Sequence, residues 1–69
     1  MISRLKEFRE KNKLTQEELA TLAGVSRQSI ISIEKGHYIP TSVLALKLGV
    51  ILKTPMEELF VLEKKDWKG

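Results

Sequence analysis

The stretch TQEELATLAGVSRQSIISIEKG, residues 15–36, contains the signals that decide the fold of this 69-residue chain. Thr15 and Glu18 match the S/T-x-x-E capping box, in which each side chain binds the other residue's backbone N–H at the start of a helix. Gly24 ends that helix, because glycine adopts the left-handed conformation without a Cβ penalty. The segment therefore begins with a short, sharply ended helix. Its predicted buried stripe consists of Leu19, Ala20 and Ala23.

A second helix follows after a very short turn. Ser26 is a good N-cap for a helix over residues 27–35, and Gly36 is placed to end it. Only Val25 and that cap separate the two helices, so they are predicted to cross at a steep angle, as in a helix-turn-helix. Ala20 allows a close crossing, because a branched side chain there would push the helices apart. The inward-facing residues of the second helix are predicted to be Ile30, Ile33 and Glu34.

The helical spacing of apolar residues predicts one helix before this pair and another after it. The earlier helix is predicted over about residues 4–12, with Ser3 as its cap. The later helix begins at Thr41 or Ser42. It includes Gly49, which costs roughly 1 kcal/mol relative to alanine and therefore indicates close packing against another backbone. The buried residues of this later helix are predicted to be Leu44, Ala45, Leu48 and Leu52.

The last part of the chain contains one more helix start and an apolar tail. Thr54 as N-cap and Glu57 at the third helical position predict a helix over about residues 55–60. A short strand is predicted over about residues 61–65. Since no linker or repeat divides the chain, residues 1–69 are predicted to form one all-α domain, a compact five-helix bundle with this possible terminal strand.

The composition argues against several classes of function. Cysteine is absent, so neither a disulfide framework nor a thiolate metal site is expected. The single histidine, His37, has no second imidazole or thiol at ligand spacing, so we expect no metal, no cofactor and no enzymatic activity. No apolar run approaches the roughly 20 residues of a membrane helix, so we expect a cytoplasmic protein without a membrane or small-molecule partner. The net charge of +3 is compatible with a nucleic-acid ligand.

The motif L-T-Q-E-E-L-A, followed by G-V-S-R-Q-S-I and I-E-K-G, resembles that of the Xre-like family, the phage repressor and Cro helix-turn-helix proteins. The Y-x-P segment, the A-L-K-L helix and T-P-M-E-E-L-F extend the resemblance to about residue 60. The length and the apolar tail resemble the compact single-domain prokaryotic members. The resemblance implies a lambda-repressor-like fold and a transcriptional regulator that binds double-stranded DNA sequence-specifically. It also implies that the helix over residues 27–35 lies in the major groove.

Four residues of this recognition helix are predicted to contact bases. Arg27 can donate two hydrogen bonds to guanine O6 and N7, and Gln28 can pair with adenine N6 and N7. Ile31 points away from the inward-facing isoleucines and could pack on a thymine methyl group, or it is a tolerated surface residue. Ser32 falls where the family often has another base-reading side chain, although serine is short and its contact could be water-mediated.

The resemblance assigns a second group of residues to the phosphate backbone. Gln16 is at the N-terminus of the first motif helix, where the helix dipole also favours an anion. Tyr38 belongs to this group, although it could equally pack beneath Pro40. In the family, a pair matching Arg9 and Glu34 joins the first helix of the bundle to the end of the recognition helix. The predicted phosphate contacts are Gln16, Ser26, Ser29, Lys35, His37 and Tyr38.

The tail, residues 60–69, contains more apolar side chains than so small a core can hold. Some of them are predicted to pack across a two-fold axis in a homodimer; the alternative is a frayed tail with Trp67 resting on its own subunit. A dimer would place two recognition helices about 34 Å apart on a palindromic operator, and the expected activity is repression by promoter occlusion. The predicted interface residues are Phe60, Val61, Leu62 and Trp67.

A protein-interaction role is the alternative to DNA binding. An antitoxin-like or adaptor module could use the same fold, because a fold does not determine a function. The outer face of the recognition helix distinguishes the two roles, since interaction surfaces favour aromatic and apolar anchors. Arg27, Gln28 and Ser32 are better suited to base edges.

Overall fold

The computed structural model describes residues 1–68, which form five α-helices, two short strands and a final 3₁₀ helix. The predicted five-helix, mainly helical fold is confirmed. Within this range no helix is long and apolar enough to cross a membrane. In chain order the elements are β1 (Ile2–Ser3), α1 (Leu5–Lys11), α2 (Gln16–Ala23), α3 (Arg27–Glu34), α4 (Ser42–Leu52), α5 (Met56–Leu59), β2 (Phe60–Val61) and the 3₁₀ helix (Lys64–Trp67).

The helix-turn-helix pair, α2 and α3, has the predicted caps. Thr15 Oγ1 accepts a hydrogen bond from the Glu18 N–H at 3.0 Å, and Glu18 Oε1 accepts one from the Thr15 N–H at 2.8 Å. Gly24 has a φ of 73° and ends α2 in the left-handed region. Ser26 Oγ accepts a hydrogen bond from the Ser29 N–H at 3.1 Å and so caps α3.

The predicted ranges of three helices extend slightly too far. The predicted ranges 4–12 and 55–60 correspond to Leu5–Lys11 and Met56–Leu59 in the structure, and α3 ends at Glu34 instead of residue 35. Terminal turns have incomplete backbone hydrogen bonding, so sequence patterns locate them less sharply than helix centres.

The core lies between α2, α3 and α4, with α1 and α5 closing its sides. Each of the five helices contributes at least one fully buried apolar side chain, so all five pack into the same core. The predicted buried stripe of α2 and the predicted inward faces of α3 and α4 are confirmed for their apolar residues. The largest fully buried side chains are Leu5, Leu19, Ile30, Ile33, Leu48, Leu52 and Leu59.

Two predicted N-caps are wrong. Ser3 belongs to β1, and Arg4 takes the N-cap position of α1, where its N–H donates to Leu59 O at the end of α5 at 2.8 Å. Ser3 Oγ still accepts a hydrogen bond from the Leu5 N–H at 3.4 Å, but from outside the cap position. Thr54 Oγ1 donates to Leu52 O at 2.9 Å, so it satisfies the end of α4 and leaves α5 with Pro55 as its N-cap.

The predicted strand over residues 61–65 is also corrected. β2 starts one residue earlier and covers only two residues, while the segment that follows turns into the 3₁₀ helix. β2 pairs antiparallel with β1, with Ile2 opposite Val61 and Ser3 opposite Phe60. Segments near both ends of the chain are thus paired within one protomer, and β2 is the short terminal strand that the sequence predicted, with different bounds.

Contacts of Met1 hold the tail against the start of the chain. The α-amino group of Met1 donates to Glu63 Oε1 at 2.8 Å and to Asp66 Oδ1 at 3.2 Å. These hydrogen bonds raise the pKa of the amino group and lower the pKa of the Glu63 carboxyl. The Glu63 N–H and the amino group together lower the pKa of the Asp66 carboxyl. The 3₁₀ helix is therefore docked by charge as well as by the strand pair.

We expect Gly49→Ala to lower the free energy of unfolding by up to about 2 kcal/mol. A Cβ on Gly49 would lie 2.9 Å from the backbone oxygen of Thr54, which confirms the predicted close backbone packing. Overpacking of this kind costs about 1–3 kcal/mol, and the better helix propensity of alanine returns roughly 1 kcal/mol. Urea denaturation followed by circular dichroism measures the difference.

The matched control is Val50→Ala on the same helix, where the side chain is 79% exposed. This change should alter stability by less than about 0.5 kcal/mol. A Gly49→Ala protein more stable than the wild type would show that the backbone around Thr54 relaxes at no cost.

Candidate nucleic-acid interface

α3 has one buried face and one exposed face. Ile30 and Ile33 are 0% and 1% exposed and fix the helix to the core. Gln28 lies on the opposite side, and Arg27 is exposed at the very start of the helix, directly after the Ser26 cap. The two long polar side chains predicted to read bases therefore project into solvent from the N-terminal end of α3.

Other predicted contact residues gather beside Gln28. Ser32 is half-buried one turn further along α3, and Tyr38 approaches from the loop that follows, with 44% of its surface exposed. Ile31 is also half-buried, so only part of its side chain is accessible to a ligand. The residues that line one shallow concavity here are Ser26, Gln28, Ser29, Ser32 and Tyr38.

The predicted phosphate contacts lie at both ends of α3. At the start, Ser26 Oγ and Ser29 Oγ are 2.9 Å apart, so the capping hydroxyl also shares a hydrogen bond with its neighbour. At the other end, roughly 12 Å away for eight helical residues, Lys35 and His37 are exposed in the turn. The His37 N–H donates to Ser32 O at 3.0 Å and holds this turn against the helix.

A buried ion pair fixes α3 from behind. Arg9 Nε donates to Glu34 Oε2 at 2.6 Å, and the two side chains are only 10% and 5% exposed. Arg9 Nη1 also donates to Leu14 O at 2.7 Å. The pair therefore joins α1, the loop before α2 and the last turn of α3.

Gln16 belongs to the same network, which sequence reasoning missed. Gln16 Nε2 donates to Glu34 Oε1 at 3.1 Å, so the amide is oriented by the carboxylate that already binds Arg9. A primary amide nitrogen has two N–H donors, and this bond uses one. No local signal reveals the contact, because the two residues are 18 positions apart in the chain.

The groups whose pKa values are shifted lie on other parts of the surface, outside α3. The Arg4 guanidinium, hydrogen-bonded to Glu7, lowers the pKa of that carboxyl. Within residues 1–68, no cluster of three or more His, Asp or Glu side chains is arranged to hold a metal ion.

The residues predicted to form a dimer interface separate into two groups. Phe60 is 8% exposed and belongs mainly to the protomer's own core, and its assignment to an interface between protomers stays a prediction. Val61 is half-buried, whereas Leu62 and Trp67 are 56% and 78% exposed. Leu62 lines an apolar groove, the tail groove, together with Met1, Ile39, Pro40, Ser42, Ala45, Met56, Glu57 and Phe60.

Comparisons with known proteins agree on one family. The family model described as helix-turn-helix matches residues 5–59. An HTH-type transcriptional regulator, MJ0272 of Methanocaldococcus jannaschii, is 46% identical over 66 residues, which cover 96% of this chain and 100% of that protein.

Two solved structures have the same fold. The restriction-modification controller protein C.AhdI from Aeromonas hydrophila superposes with a TM-score of 0.75 at 38% identity, over 83% of this chain and 86% of that one. The N-terminal DNA-binding domain of SinR from Bacillus subtilis has a TM-score of 0.75 at 29% identity, over 88% of each chain.

We expect Arg9→Met to destabilise the protein by about 3–5 kcal/mol, because it leaves the Glu34 carboxylate buried without its cation. The double variant Arg9→Met/Glu34→Leu should lose less, since two apolar side chains leave no buried charge. Urea denaturation of the wild type, both single variants and the double variant forms a complete cycle.

The exposed pair Arg4–Glu7 supplies the control, and replacing it in the same way should change stability little. If the losses at Arg9 and Glu34 simply add in the double variant, the two side chains are not coupled and the pair does not act as a unit.

Proposed function

This chain belongs to the helix-turn-helix family, and on that premise we propose that it binds double-stranded DNA as a sequence-specific transcriptional regulator. The observation that carries the proposal is the two-sided character of α3. Its isoleucines are buried, while Arg27 and Gln28 extend from the first turn into solvent. Residues at the N-terminal end of a recognition helix are those that reach base edges in the major groove.

Base readout in this proposal rests on two side chains. Arg27 donates two hydrogen bonds to a guanine, and Gln28 exchanges two with an adenine, each pair contributing about 1–3 kcal/mol of discrimination against other bases. Ser32 and Ile31 are half-buried, so each presents only a small part of its side chain to the bases. Ile31 packs on a thymine methyl group in this proposal.

Phosphate contacts set the register of α3 on the duplex. Gln16 is the first residue of α2, where backbone N–H groups lack helical partners and attract an anion. Its amide keeps one N–H donor after binding Glu34, and we assign that donor to a phosphate. The remaining contacts come from residues at both ends of α3, namely Ser26, Ser29, Lys35, His37 and Tyr38.

We further propose a homodimer that represses transcription by occupying a palindromic operator. Leu62 and Trp67 are large apolar side chains with most of their surface exposed, and Leu62 borders the tail groove. Packing this region against a second copy would cover both. A dimer with two recognition helices about 34 Å apart would read half-sites roughly 10 bp apart, centre to centre.

The antitoxin-like or adaptor alternative is disfavoured at α3 itself. Arg27 and Gln28 dominate its exposed face, and no exposed aromatic or aliphatic anchor accompanies them in the first turn. Interaction hot spots favour such anchors. A protein partner, if one binds, therefore uses another surface.

Substitution of the two base-reading residues should change sequence preference. We expect Arg27→Ala and Gln28→Ala each to lose about 1–3 kcal/mol on the preferred site and to relax the base requirement at separate positions. Gln16→Ala should weaken all sequences to a similar extent, because phosphates carry no base identity. Selection from random duplexes, followed by affinity measurements on the enriched site, tests both statements.

Lys6→Ala is the charge-matched control for Arg27→Ala, since Lys6 is exposed on α1. It should leave the preferred sequence unchanged. Wild-type affinity should fall steeply as salt increases, because lysine and arginine displace condensed counterions. The absence of any enriched sequence, or an affinity that is insensitive to salt, would contradict the proposed function.

Leu62→Glu should shift the protein from dimer to monomer, because it buries an unpaired carboxylate in the proposed interface. Sedimentation velocity at micromolar concentration, with and without the selected duplex, measures this. Val50→Glu places the same charge on α4 and should leave the dimer intact. A wild-type protein that stays monomeric on DNA would refute the homodimer.

A further inference from the structure

α4 is apolar on both of its faces. The inner face is part of the core, as described above. On the outer face, Val43, Leu46 and Val50 are 65%, 57% and 79% exposed. Their i, i+3, i+7 spacing places them in one line along the helix. A helix that is apolar all round is normally buried on every side, so the outer face of α4 lacks a covering element within residues 1–68.

Neighbouring residues widen this line into a groove. Leu22 of α2 is 60% exposed and lies on one side of it, and Met56 of α5 lies on the other, 38% exposed. Contiguous exposed apolar surface of this kind marks interaction sites on small proteins. We call this surface the α4 groove, and its lining residues are Leu22, Val43, Leu46, Lys47, Gly49, Val50, Ile51, Lys53, Thr54, Pro55 and Met56.

The two charged residues that line the α4 groove are both lysines. Lys47 Nζ lies 3.5 Å from Ala23 O, so the ammonium group stays at the C-terminal end of α2, at the groove edge. Lys53 is exposed at the C-terminal end of α4. No aspartate or glutamate lines the groove. An occupant therefore meets an apolar floor between two cations.

The charge pattern selects among possible occupants. A second copy of this groove would bring four lysines together without an acidic residue to neutralise them, on a chain whose net charge is already +3. An amphipathic helix with large apolar residues in a line and glutamates on its flanks matches both the floor and the edges. Helices of this type commonly bind in apolar grooves through i, i+3 or i+4, and i+7 anchors.

We propose that the α4 groove binds an acidic amphipathic helix of a partner protein. This surface shares no lining residue with the shallow concavity beside Gln28 on α3, so the partner and the DNA bind to different residues. The inference therefore goes beyond DNA binding and does not depend on it. It gives a regulator with a sensing surface outside its DNA contacts.

The test uses two synthetic helical peptides as probes. Both have leucines at i, i+3, i+7 and i+10; one has glutamates on the flanks and the other has lysines at the same positions. We expect the acidic peptide to bind at least tenfold more tightly, with affinity that falls as salt increases. Amide chemical shifts of the ¹⁵N-labelled full chain should change along α4 and at Leu22.

Val50→Glu should weaken the acidic peptide at least tenfold, and the neutral variant Val50→Ser should weaken it to a smaller extent. Leu62→Glu adds the same charge at the tail groove and should leave peptide affinity unchanged. Circular dichroism checks that each variant is folded.

Three results would overturn the proposal: equal affinity for the two peptides, shift changes confined to the tail groove, or no binding at millimolar peptide. A wild-type oligomer that Val50→Glu converts to a monomer would also overturn it, since the groove would then be occupied by a second copy of this chain.

Discussion

The turn between α2 and α3 is the constraint on which the rest of the structure depends. Gly24 takes a left-handed φ of 73°, the Val25 N–H donates to Ala20 O at 3.0 Å, and Ser26 caps the next helix. These local bonds fix the backbone conformation of the turn that joins α2 to α3. The direction of α3 follows from the conformation of this turn, and so does the exposure of Arg27 immediately after the cap.

The ion pair of Arg9 and Glu34 adds a second fixed point at the far end of α3. A buried pair of this kind is weak evidence for stability, because desolvation offsets much of the Coulomb attraction. Its geometric effect is clearer, since it connects α1 to α3 and orients the Gln16 amide at the start of α2. The pair thereby fixes the position of Gln16, the proposed phosphate contact, relative to the helix that contains the proposed base contacts.

Sequence reasoning succeeded where the deciding bonds are local. The partners in the capping box, Thr15 and Glu18, are three positions apart, as are Ser26 and Ser29 in the cap of α3, so motif and structure agree there. The helix that contains Gly49 was also predictable, because its apolar spacing repeats over eleven residues. The family resemblance then supplied the assignment of α3 to the major groove, which the exposed first turn supports.

By itself the sequence determined the number of α-helices and the residues that cap α2 and α3, because these depend on contacts within a few positions. Tertiary structure alone decided what distant segments do to one another. Pairing with β2 made Ser3 a strand residue and left Arg4 as the N-cap of α1, and the core buries most of the Phe60 side chain. The sequence of α4 likewise places apolar residues on two faces of the helix. Only the packed fold shows which face is covered, because burial depends on all the neighbouring elements together.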